Sequence, residues 1–323
     1  MDDTNQLNQR HSKGSSSFFE LIESLSVPAM QAPMFLITGT EMVINACKSG
    51  VIGCFPAPNA RTIDVFEQWL SEIKNELAPD KAAAPWAVNL IMHPTYPRRE
   101  EEMALVLKYQ PPIVVTALGS PARIVEHVHS YGGIVIADVS SPRMAKKAAD
   151  AGVDGLVLLS VGAGGHTGYL SPFAFVQEVR QWWNGLLILA GGINSGKSVH
   201  AAKVLGADLA YLGTHFIATK ESLCQDDYKD MVVDSSADDI VTSAAITGVK
   251  ANWMRQSLLN AGFDPDDMGD KSSIDFAENG AQNKRWKDIW AAGQGVGGVD
   301  SIQSVAQVIN KLSQEYRASR ECN

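Results

Sequence analysis

Short apolar, β-rich runs alternate with helix-like segments along most of this chain, and that alternation limits its fold more than any other feature. The runs lie at residues 29–35, 51–55, 86–92, 113–118, 134–139, 155–161, 186–190 and 210–216. Near-continuous apolar runs mark strands buried on both faces, as parallel strands covered by helices are. Helix-like segments at 41–48, 63–77, 98–109, 121–129, 142–151, 172–183 and 197–205 fill the gaps. Three of them open on Ser120-Pro121, Ser141-Pro142 and Ser171-Pro172, a helix-start signal, because proline at the first turn gives up only an N–H that has no partner there. Strand, helix and parallel strand join by a right-handed crossover, and eight such units predict an α/β protein built as a closed (β/α)8 TIM barrel.

After residue 216 the rhythm stops for about 75 residues, longer than the ~2–6 residues usual for a βα loop. The segment 253–260 and the region 286–290 read as helix or loop, and the Asp and Gly content of 262–280 as a surface loop. Ile302, Val305, Val308, Ile309 and Leu312 recur near helical spacing and predict a closing helix over 301–315. The expected organisation is a polar, flexible leader (1–24), a barrel (25–218 and 299–318), and a smaller, mainly helical insertion (219–298) between strand eight and the final helix.

Composition narrows the function. With 45% hydrophobic residues among 323, the chain can bury a large core. A net charge of -9 without any Lys/Arg run argues against nucleic acid as a partner. No apolar run reaches the ~18 residues that a membrane span needs. Cys47, Cys54, Cys224 and Cys322 are far apart, with no C-x-x-C pair and no histidine at zinc spacing, so no metal is expected and a reducing, cytoplasmic setting is. A homo-oligomer is compatible with all of this.

Barrels of this kind work at the C-terminal ends of their strands. After strand six comes Gly162-Ala163-Gly164-Gly165-His166-Thr167-Gly168, where glycines admit close backbone approach to a flat ligand and one imidazole stands at the mouth. After strand seven, Gly191 to Ser198 matches the P-loop pattern G-x-x-x-x-G-K-[ST], which would make the chain a nucleotide-binding protein. No later apolar strand ends in a metal-binding Asp, and a P-loop leaves the upstream units unexplained. The barrel alternative uses the same amides with those of Gly213-Thr214, after strand eight, to grip a phosphate. Asp138 ends an apolar strand, where it either orients a ligand or bonds backbone. His127 and His129, two apart on a helix, point in different directions and read as surface residues. Trp182 and Trp183 read as packing on the barrel wall, and Trp253 and Trp286 as a small core of the insertion.

Taken in order, Ala32-Pro33-Met34, Asn89, Ala163 to Gly168, Ala190 to Ile193, Gly206-Ala207-Asp208 and Gly213-Thr214 resemble the nitronate monooxygenase (2-nitropropane dioxygenase) family. Weaker matches follow at Thr247 to Lys250 and Ala292 to Gly295, so that the resemblance spans about residues 27 to 315. It implies FMN across the barrel mouth, with Met34 and Asn89 near the ring, Gly164 and Gly165 beside it, and Gly191, Gly192, Gly213 and Thr214 around the phosphate. His166 matches the family's catalytic histidine. The implied reaction takes a small alkyl nitronate, or a nitroalkane, with O2 to a carbonyl compound and nitrite. The alternative is an FMN-dependent NAD(P)H reductase of quinone or enoyl-thioester type. Gly162 stands where many members have Glu, Asp138 where some have Lys, and His215 where Arg is usual.

Overall fold

In the computed structural model, which describes residues 22–269 and 288–321, eight parallel strands form one sheet. They are β1 (Ala29–Gln31), β2 (Gly53–Pro56), β3 (Trp86–Ile91), β4 (Ile113–Ala117), β5 (Ile134–Val139), β6 (Gly155–Leu159), β8 (Leu186–Ala190) and β9 (Leu209–Leu212). The two-residue strand β7 (Gly165–His166) belongs to a second sheet. Neighbours run β1-β9-β8-β6-β5-β4-β3-β2, and the free edges then meet: Met30 bridges Ile52, and the Gln31 N–H donates to the Ile52 carbonyl at 2.8 Å. The sheet is therefore a closed barrel, as the alternation predicts.

Helices α1 (Thr40–Lys48), α2 (Ile63–Leu77), α3 (Arg99–Tyr109), α4 (Ala122–Ser130), α5 (Pro142–Asp150), α6 (Pro172–Arg180) and α7 (Gly196–Leu205) cover the outside. Of the three Ser-Pro starts, Ser141 caps α5 through Met144 N–H at 3.3 Å, whereas Ser171 makes no side-chain cap and Pro121 itself precedes α4. Residues of alternating parity divide between two cores. Phe55, Val88, Val114, Ala137 and Leu158 face the helices, whereas Cys54, Ala87, Val115, Ile136, Val157 and Tyr211 fill the barrel. By the two-residue period of a strand, Asn89 and Asp138 share the inward parity of Ala87 and Ile136. Both stand at the C-terminal end of the barrel.

The eighth strand is shorter than its apolar run, because Thr214 to Phe216 turn into the one-turn helix α8 (Thr214–Ile217). The insertion then carries α9 (Asp226–Asp234), β10 (Ile240–Ser243), β11 (Ala251–Met254) and α10 (Arg255–Asn260), before the chain returns to the barrel with α11 (Val305–Glu321). Among its described residues helix outnumbers strand, but the antiparallel pair β10 and β11 is new. Trp253, expected in a helix or loop, is in β11, and the helix begins at Arg255. All four residues of β11 are buried, so no alternation betrays the strand.

Trp253 is fully buried among Ile246, Leu258 and Ile289, and its indole N–H reaches the Ser243 carbonyl at 3.3 Å, giving the insertion its own small core. Trp183 lies in the outer barrel core with Trp182 packed against it, and Lys146 sits 4.3 Å above the Trp182 ring. Trp286 and Cys322, and residues 1–21 of the expected leader, lie outside the described residues. No helix among the described residues is long and apolar enough to cross a membrane. Trp253→Ala should cost about 3–5 kcal/mol, read as a lower urea midpoint, because it empties the centre of that small core.

Candidate active site at the barrel mouth

The top of the barrel interior holds three polar atoms that are buried and without a hydrogen-bond partner: Asn89 Nδ2, Asp138 Oδ1 and Tyr211 Oη. They come from β3, β5 and β9, all at inward positions near strand ends. A buried polar atom left unpaired costs about 1–3 kcal/mol, so three of them at one end of the barrel interior point to a ligand that satisfies them. Their chemistry suits the polar edge of a flat heteroaromatic ring.

The loops above this layer are drawn together by backbone contacts. Met34, beyond β1, touches the end of β9: a Cβ on Gly213 would lie 3.3 Å from Met34 Sδ. The loop carrying Met34 is held by Asn59, whose Nδ2 donates to the Met34 and Thr38 carbonyls at 2.9 and 2.8 Å while its Oδ1 accepts from Leu36 N–H at 2.8 Å. Gly191 and Gly192 follow β8 with φ of 120° and 69°, a left-handed turn that side chains resist. A Cβ on Gly192 would meet no atom within 4 Å, so its backbone borders open space. Thr214 Oγ1 accepts from Gly293 N–H at 3.0 Å, which leaves the hydroxyl proton to donate elsewhere.

The P-loop alternative, already disfavoured by the sequence, finds no support here. Ser195 and Ser198 form a reciprocal capping box at the start of α7, with Ser198 N–H on Ser195 Oγ at 3.2 Å and Ser195 N–H on Ser198 Oγ at 2.9 Å. The amide of Gly196 donates to Glu315 of α11 at 2.8 Å, and Lys197 is exposed on the helix. The serine and the amide that a nucleotide and its metal would need are already committed.

His166 is positioned from the insertion. In β7, Gly165 and His166 pair antiparallel with Asn252 and Ala251 of β11. The fully buried Asn252 donates through Nδ2 to the Ala163 carbonyl at 2.7 Å and accepts from Thr242 at 2.5 Å. Thr167 closes the loop below, its N–H on Lys250 O and its hydroxyl on Ser160 O, both at 3.0 Å. Gly164 is required by close approach, because a Cβ there would come within 2.8 Å of Gly293 N. On the same side, Gln294 N–H donates to Gly162 O at 2.9 Å. Although part of its surface is accessible, the imidazole is densely surrounded, and desolvation pushes its pKa down from 6.5 to about 4. His166 is therefore neutral at physiological pH.

The structure thus gathers Met34, Asn89, Gly164, His166, Gly191, Gly213 and Thr214 around the rim of one barrel end. Two contributors escaped the sequence reading, Asn252 and Tyr211, and the Gly293-Gln294 turn was matched only as part of Ala292 to Gly295, with no role attached. Tyr211 was legible as an inward residue of strand eight, and the glycine-rich stretch 293–298 as backbone built for close approach, but nothing local marks Asn252. His215 is buried and its Nε2 bonds the Asn194 carbonyl at 2.5 Å, so that it braces the loop after β8 from behind. His129 bonds Asp154 at 2.8 Å.

Among proteins of known kind, the chain is 27% identical over 279 residues to a nitronate monooxygenase of Paraburkholderia phytofirmans, covering 74% of this chain and 76% of that one. It is 23% identical, over an aligned length of 341 positions with gaps, to a probable nitronate monooxygenase of Bacillus subtilis, covering 90% of this chain and 96% of that one. The fold matches the nitroalkane oxidase of Streptomyces ansochromogenes with a TM-score of 0.79 at 21% identity, over 94% of this chain and 99% of that one. FabK from Thermotoga maritima matches with a TM-score of 0.78 at 24% identity, over 94% and 97%. The family model for nitronate monooxygenase matches residues 17–315, and the chain belongs to the nitronate monooxygenase family.

Proposed function

We propose that this chain is an FMN-dependent monooxygenase that converts small alkyl nitronates with O2 to a carbonyl compound and nitrite. The observation that carries this reading is a neutral histidine at the rim of a barrel whose upper interior holds three unpaired polar atoms. FMN fits the donor set: Asn89 Nδ2 and Tyr211 Oη would meet polar ring atoms, Met34 would pack on the ring, and Gly164 and Gly165 would let it lie close to backbone. Gly191, Gly192, Gly213 and the Thr214 hydroxyl would take the phosphate. Bound there, the flavin supplies the electron transfer between the nitronate and O2.

What the chain's own residues contribute is placement and charge complementarity. A neutral imidazole donates from one ring nitrogen, and that proton would meet an oxygen of the nitronate anion. With a pKa near 4, the same ring is a weak acceptor for a proton on the carbon of a neutral nitroalkane. The reading therefore favours the preformed nitronate over the nitroalkane. Asn252 holds this donor in place by fixing the Ala163 carbonyl at the root of the loop. On this reading the remaining partners are O2 and no macromolecule, in a cytoplasmic setting.

Purified protein should be yellow and, under anaerobic conditions, bleach with an alkyl nitronate and not with NADH. Rapid bleaching by NADH alone would instead assign the reductase reaction. His166→Ala should keep FMN and lose about 100-fold or more of nitronate turnover, the scale of a lost positioned proton-transfer or hydrogen-bonding group.

Burial of His166 also sets a pH dependence. Its pKa is about 4 in the folded chain and near the ordinary 6.5 when unfolded, so between those values only the unfolded chain holds the proton. Stability from this source is complete above about pH 6.5 and declines as the pH falls towards 4. In chemical denaturation, His166→Gln should flatten the decline over that window.

A further inference from the structure

Asp138 occupies the topmost inward position of β5, and its Oδ1 is buried without a partner. The titratable groups that face it are Cys54 of β2 and Tyr211 of β9, and burial pushes both of their pKa values up, so neither carries charge at neutral pH. From the flanking strands, β4 presents Val115 and Ala117 and β6 presents Val157 and Leu159, none of them charged. Among the described residues Asp138 thus stands at the mouth with no cation to pair with, and burial holds its carboxyl up at about 7. An ionised carboxylate in such a place is acceptor-only and uncompensated, whereas the acid form offers one O–H donor and keeps an acceptor. At the same end of the barrel, Asn89 Nδ2 and Tyr211 Oη await partners.

We propose that Asp138 is a cofactor-binding residue that holds FMN in its protonated form, its carboxylic O–H donating to an acceptor atom of the ring. This rests on the FMN reading above and adds to it a coupling: binding the flavin captures a proton on Asp138. At a pH where the free carboxyl is ionised, the proton must be taken from solvent, so FMN affinity falls as pH rises. A carboxylate accepting from a ring N–H would give the opposite sign.

The test uses the full chain stripped of flavin and titrated with FMN by fluorescence quenching from pH 6 to 9, beside Asp138→Asn, which keeps a donor but does not titrate. Ionisation of the FMN phosphate affects both proteins and cancels in the ratio of their dissociation constants. Wild-type Kd divided by variant Kd should rise about tenfold or more across that range, the limit of linkage being tenfold per pH unit above the carboxyl's pKa. Calorimetry of the wild type at pH 8 in two buffers of different ionisation enthalpy should show proton uptake that Asp138→Asn lacks. Should the variant fail to fold, uptake by the wild type in excess of that by free FMN phosphate decides alone. A ratio that stays flat or falls with pH, or binding without proton uptake, overturns the role of Asp138 and leaves the FMN reading intact. Failure of FMN to bind wild type and variant alike at every pH overturns both.

Discussion

Closure of the parallel sheet is the constraint from which the site follows. Once β1 meets β2 through Met30 and Ile52, every strand has a neighbour on both sides and every second residue points into a space without solvent. Apolar side chains fill the lower part of that space. Polar ones at the same parity are confined to the rim, where Asn89, Asp138 and Tyr211 end their strands with unmet hydrogen-bonding capacity. A barrel stable enough to tolerate three such atoms needs wide hydrophobic cover, and the two shells of packing inside and outside the wall provide it.

The insertion braces the loop that carries His166. By adding β11 alongside β7 it turns a glycine-rich loop into the edge of a small sheet, with His166 in the paired register. Glycine freedom in that loop serves approach to other backbone, as at Gly164 against Gly293, and the lost rigidity is restored by Asn252, Thr167 and Gln294. The same enclosure strips water from the imidazole and keeps it uncharged. Position and protonation state of His166 therefore have one cause.

Much of this was readable in the residues alone. Strands five and seven begin and end where their apolar runs do, because turns bound them sharply, whereas strand eight loses its last residues to α8. The glycine motifs and their order were visible, and so was the family they match. What could not be read is pairing between segments far apart: β11 carries no alternation since all its residues are buried, and the bond from Asn252 to Ala163 spans 89 residues. The stretch from Gly191 to Ser198 shows the converse, that identical letters serve two physical ends. Its serines cap a helix here, and the packing of α11 on Gly196 decides the matter, which no local pattern encodes.

That packing has a temporal side. Glu315 completes the amide set at the start of α7, and Ser313 reaches back to the Ser26 carbonyl at 2.8 Å, so the loop after β8 and the segment leading into β1 are both braced by one late helix. During synthesis, the loop after β8 stays without this brace until α11 has left the ribosome, so its final shape is set late in the life of the nascent chain.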